Sequence, residues 1–93
     1  MGKTMSYSEF IDRRRSSKYS VGDYVYFERI TGYSDIGLPV RTISVGTIRF
    51  VEDETTCFYG VRPLDTPEDT WCIIDVLPRD MRKLRKAEIR QIA

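Results

Sequence analysis

The chain has no histidine and only two cysteines, Cys57 and Cys72, among its 93 residues. Without histidine, a general base near neutral pH would have to be a strongly shifted carboxylate or lysine. The two thiols, far apart and with no imidazole to help, are too few to hold a structural zinc ion. Neither Ser16, Ser17 nor Cys57 stands in a nucleophile motif, and no glycine-rich phosphate loop occurs. No apolar run approaches the ~20 residues that cross a bilayer. The start, Met1-Gly2-Lys3-Thr4-Met5, has no apolar stretch behind its positive charge and is not read as a secretory signal. Met-Gly-x-x-x-Ser, ending at Ser6, fits a myristoylation pattern short enough to arise by chance. These absences predict a non-enzymatic, cytoplasmic protein with no cofactor or metal and with reduced, inert thiols.

What is present suits a single small folded domain. Hydrophobic residues make up 41% and aromatics 12%, enough to exclude a disordered chain. The net charge of +1 hides a segregation. Residues 1–20 carry Lys3, Arg13, Arg14, Arg15 and Lys18 against Glu9 and Asp12, and residues 21–51 balance. Residues 52–75 set seven acids against Arg62, a net −6. Residues 76–93 return to +4 through Arg79, Arg82, Lys83, Arg85, Lys86 and Arg90 against Asp80 and Glu88. Basic ends around an acidic middle give a dipolar surface that steers and orients a charged partner.

Ser6-Tyr7-Ser8-Glu9 is a capping box, followed by Tyr7, Phe10, Ile11 and Arg14 at the spacing of one helix face. A helix is expected over 7–15; at that length it must dock on the domain or on a partner. Strand signals follow at 21–28, 43–51, 55–62 and 71–76. The first places Val21, Val25 and Phe27 on one face and Tyr24 and Tyr26 on the other. Residues 29–42, punctuated by Gly32, Gly37 and Pro39, read as a long loop, the kind that carries function. Gly46 reads as a bulge or bend, and the acidic 52–54 as a hairpin tip. Past Pro78, one alternative is a helix presenting Leu77, Met81 and Leu84; the favoured one is a turn or short helix at 79–86 and a last strand at 88–92.

Val21-Gly22-Asp23, opening an aromatic-rich strand, resembles the start of Src-homology-3-like barrels, the superfold that includes Tudor, KOW and CAP-Gly domains. Gly46-Thr47-Ile48-Arg49-Phe50-Val51, then Gly60-Val61 and Leu64-Asp65-Thr66-Pro67, is similar to the matching stretch of a CAP-Gly domain. The resemblance spans residues 21 to about 92 and implies architecture alone. The Gly-Lys-Asn-Asp-Gly loop of CAP-Gly domains is missing, with Glu68-Asp69-Thr70 standing after Pro67. The expected fold is thus mainly β: a five-stranded small barrel over 19–93, preceded by a segment 1–18 with a short helix.

Three residue sets invite function. Tyr24, Tyr26 and Tyr33, beside Arg29 and Arg41, would form a groove or cage for a protein partner, or would simply finish the core. Tyr59 and Trp71 are expected in the core. Arg13-Arg14-Arg15 with Arg82, Lys83, Arg85 and Lys86 would contact phosphates of a nucleic acid, although the acidic middle and the pI near 7.7 oppose that. Asp65, Glu68, Asp69 and Asp75 match no calcium-loop spacing and are not read as a metal site. The resulting expectation is a non-catalytic protein-binding module, an adaptor or inhibitor of a larger protein or complex. A nucleic-acid-binding barrel is the alternative.

Overall fold

The computed structural model describes residues 5–16, 18–51, 58–67 and 70–92. Helix α1 (Tyr7–Asp12) starts where the capping box places it: Ser6 Oγ accepts from the Glu9 amide at 3.2 Å. It ends before the expected residue 15, because Arg13 turns extended and gives its carbonyl to Arg82 Nε at 2.9 Å. Phe10 is buried, whereas Tyr7 and Ile11 stay half exposed.

Strands β1 (Tyr24–Tyr33) and β2 (Pro39–Val51) form one long hairpin. The expected loop at 29–42 is therefore corrected to two paired strands and a short turn. Gly32 and Pro39, which read as breakers, occupy positions that a strand tolerates. Gly32 follows a bulge where the register shifts past Ile30, and Pro39 is the first residue of β2. Gly37 turns the chain with φ +81°. Ahead of β1, Gly22 adopts φ +95° and its amide bonds Ile48 O at 2.7 Å, leaving Val21 outside the strand and exposed.

Strands β3 (Tyr59–Pro63) and β4 (Ile74–Val76) follow; the acidic tip 52–54 and Cys57 lie outside the described residues. A 3₁₀ turn at Pro78–Asp80 leads into β5 (Met81–Lys83), and the chain continues as helix α2 (Lys86–Ile92). The last strand was expected at 88–92; it lies earlier, and that stretch is helical. Arg85 N donates to Glu88 Oε1 at 2.8 Å, an i, i+3 bond that starts the helix.

The five strands pair antiparallel in the order β4-β3-β2-β1-β5 as a curled half-barrel sheet. Gly46 is not at a bulge. It faces Val25 and Pro63, and a Cβ there would sit 2.6 Å from Val61 Cγ1 and 2.7 Å from the Arg62 carbonyl. The absent side chain lets β2 and β3 close together. Among the described residues no helix is long and apolar enough to cross a membrane.

The first half of strand β1, Tyr24 to Phe27, is covered on both faces. Its inner face gives Val25 and Phe27 to a cluster with Tyr19, Ile48, Val61, Val76 and Met81. Its outer face gives Tyr26 to a second cluster with Met5, Phe10, Ile43 and Leu84, against which Tyr24 and Ile89 pack. Both terminal helices thus fold across the outside of the half-barrel. Apolar area removed from water contributes roughly 25 cal/mol per Å², so this outer layer adds to the stability that the inner cluster supplies.

Candidate functional site

The long hairpin has two different halves. Near the base, β1 and β2 are sandwiched between the two clusters. Beyond Glu28 the pairing continues without cover, making an arm whose every residue from Thr31 to Arg41, Gly32 apart, is exposed. Five large apolar side chains stand on it: Ile30 at 51%, Tyr33 at 71%, Ile36 at 79%, Leu38 at 58% and Val40 at 43% exposure. The turn is held by Ser34, whose carbonyl accepts from Gly37 N at 2.9 Å and whose Oγ accepts from Leu38 N at 3.1 Å. So the apolar tip is ordered by its own hydrogen bonds, without help from the core. Exposed apolar side chains gathered on one projecting hairpin make this arm the first candidate for an interaction surface.

Tyr33 is the one expected tyrosine that the structure leaves on this surface. Tyr24 is half-buried and Tyr26 is 7% exposed, so the expected cage of outward tyrosines is corrected. Alternation put them on the outer face as read, but α1 and α2 then cover that face. Trp71 errs in the opposite direction: expected in the core, it is 81% exposed, beside Arg49, Phe50 and Arg62 at a cavity of about 710 Å³. Tyr59 packs on the core as expected, its ring edge-on to Tyr19.

Arg29 and Arg41 lie at the root of the arm. Both line a cavity of about 660 Å³ between β1 and β4, with Glu28, Ile30, Ile74 and Asp75 among its other walls. Each arginine is paired: Arg41 with Glu28 and Arg29 with Asp65, both at 2.8 Å. Arg29 Nε is buried and has no acceptor among the described residues.

The basic candidates divide. Arg82 is buried at 2% exposure, its guanidinium 4.5 Å from the Phe10 ring centroid and bonded to the carbonyls of Arg13, Arg79 and Met81. Burial, reinforced by the nearby charge of Arg15, pulls its pKa below the usual arginine value. Arg13 meets Glu88 through two bonds of 2.6 and 3.1 Å, while Tyr26 Oη donates to the same carboxylate at 2.6 Å. Those donors hold the Glu88 carboxyl down at about 2, Arg13 first among them. Desolvation, then the bond to Glu88, pushes Tyr26 up to about 12. Lys83 reaches Asp23 at 3.4 Å. Arg13 and Arg82 therefore fasten the two chain ends and are spent on structure. Arg14 and Arg15 remain exposed and share a cavity of about 410 Å³ with Ser16 and Lys83, while Arg85 and Lys86 are exposed at the start of α2.

Two features escaped sequence reading. The arm's apolar residues Ile30, Ile36, Leu38 and Val40 had a signal, since four aliphatic side chains in a stretch read as a loop are themselves anomalous. Glu88 as the hub of both helices had none, because its partners lie up to 75 residues away. Comparison of the chain with protein-family models, curated proteins and solved structures finds no match.

Proposed function

We propose that this protein is a non-catalytic binding module of Src-homology-3-like architecture that docks on a larger protein, as an adaptor or inhibitor, through its β1–β2 arm. The five exposed apolar side chains on the self-ordered hairpin carry this reading. Buried apolar anchors dominate protein interfaces, and an arm whose turn is already hydrogen-bonded in the free state has less backbone left to order on binding. The architecture is supported by the meander order and by the short 3₁₀ turn just before the last strand. Placing a photo-crosslinking residue at Ile36 in the native host tests it. A discrete protein adduct that disappears when Leu38→Ser and Val40→Ser are added to the crosslinking variant is the expected result; an adduct unchanged in that background refutes it.

A nucleic-acid role is the second reading, favoured by the gathering of Arg14, Arg15 and Lys83 around one cavity. With Arg13 and Arg82 engaged internally, Arg14, Arg15, Arg85 and Lys86 are the exposed candidates left to meet phosphates. That reading requires affinity for nucleic acid that falls steeply with salt.

A further inference from the structure

The cavity at the arm's root lies along an unfinished edge of the sheet. Strand β5 pairs with β1 only across residues 25–27, and Leu84 N extends the ladder by one bond, to Tyr24 O at 3.1 Å. In an antiparallel strand, alternate residues turn their N–H and C=O to the same side. Ile30 shares the parity of Tyr24, so its backbone groups face the side beyond the end of β5, whereas Asp80, the next position of the ladder after Met81, stands opposite Glu28. Among the described residues nothing bonds the Ile30 backbone on that side. Across the cavity stands β4, which pairs with β3 on one side and, among the described residues, has no strand on the other. An unpaired edge facing a cavity of about 660 Å³ is a template for an added strand.

The charges select what fits. Glu28, Arg29 and Arg41 are neutralised within the chain, by Arg41, Asp65 and Glu28 respectively. Asp75 and Asp80 also line the cavity, and among the described residues neither enters an ion pair. The unmatched charge of the cavity is therefore negative. Its apolar walls are Ile30, Ile74 and Val76. We infer that the seam between β1 and β4 binds an extended segment of a partner protein, alternating apolar and basic residues, which adds to β1 as a strand at Ile30. Its basic side chains meet Asp75 and Asp80, and its apolar ones meet Ile30 and Ile74. This deepens the binding-module reading and rests on it, because Ile30 makes the seam continuous with the arm.

Selection of phage-displayed random peptides on the whole protein, followed by amide hydrogen exchange with the enriched peptides, tests the inference. Expected are sequences alternating Lys or Arg with apolar residues, and about tenfold slower exchange at the Ile30 amide on binding. N-methylating alternate peptide amides should abolish binding without touching the protein's fold. Asp75→Asn with Asp80→Asn should weaken it by up to about tenfold, as two exposed ion pairs allow. Enrichment of acidic peptides, no enrichment at all, or binding indifferent to N-methylation overturns the inference. So does a dimer that protects Ile30 without peptide, which would make a second copy the occupant. Peptides that protect only residues 34–38 sink the seam and leave the arm standing; peptides that protect Ile30 while no adduct forms at Ile36 support the seam and refute the arm as the docking element.

Discussion

Glu88 should be worth more to stability than any other exposed-sequence charge, and its replacement by glutamine gives the test. Its carboxylate accepts from Arg13 twice, from Tyr26 Oη and from Arg85 N, tying β1 and α2 to the end of α1. A folded-state pKa near 2 against an ordinary 4.5 corresponds to roughly 3 kcal/mol. The side chain is 22% exposed, so solvent screening trims this to about 2 kcal/mol. Because the folded pKa is depressed, the contribution is fully present above about pH 4.5 and is lost as pH falls through about 2. Glu88→Gln should therefore lower the melting temperature by roughly 8–16 °C at pH 7. It should also flatten the stability loss that the wild type shows between pH 5 and 2. Urea unfolding followed by circular dichroism is the assay of choice, since Trp71, at 81% exposure, is a poor fluorescence reporter. Wild type and variant agreeing within about 0.5 kcal/mol at pH 7, or losing stability in parallel below pH 5, would refute the hub.

Alkaline pH probes the same hub from its other side. Tyr26 sits at about 12, so stability should fall as pH rises from about 10 through 12, and Tyr26→Phe should blunt that fall; identical alkaline profiles would contradict it. Gly46→Ala drives a methyl group to 2.7 Å from the Arg62 carbonyl and should cost about 1–3 kcal/mol, read as a lower urea midpoint. An unchanged midpoint would mean that β2 and β3 part more easily than their packing indicates. Ile36→Ser with Leu38→Ser should leave stability within about 0.5 kcal/mol, since both side chains already face water. A large loss would mean that the arm folds back onto the core.

How much of this was legible before the structure follows from the range of the forces involved. Val25, Phe27, Ile48 and Val61 could be placed inside because strand alternation is local, and the capping box fixed the start of α1 for the same reason. The arm was misread because glycine and proline signal loops on average, whereas Gly32 and Pro39 sit beside a bulge and at a strand start. The last strand was missed because β5 carries a buried arginine at its centre. Arg82 is held there by carbonyls and the Phe10 ring supplied from elsewhere in the chain, so the short run around it does not look like an interior strand. Tyr26 and Trp71 exchanged their expected places because side-chain type does not say whether another segment will cover a face. For Tyr26 that segment arrives from both chain ends; for Trp71 it leaves the ring 81% exposed.

The division of labour along β1 is the physical basis for proposing the arm and seam, rather than Tyr24, Tyr26 or Arg13, as the docking surface. The terminal helices have only six and seven residues, too short to persist alone, so they must consume contacts to stay folded. They take Tyr24, Tyr26, Arg13 and Arg82, four of the groups that the sequence offered as a site. What they do not reach is the continuation of the same strand past Glu28, where the hairpin carries apolar side chains that no element covers. A strand clamped on both faces at one end and bare at the other is stiff at its root and exposed at its tip. Binding at the tip then needs no rearrangement of the core, and destabilising either helix should weaken the fold well before it alters what the arm can hold.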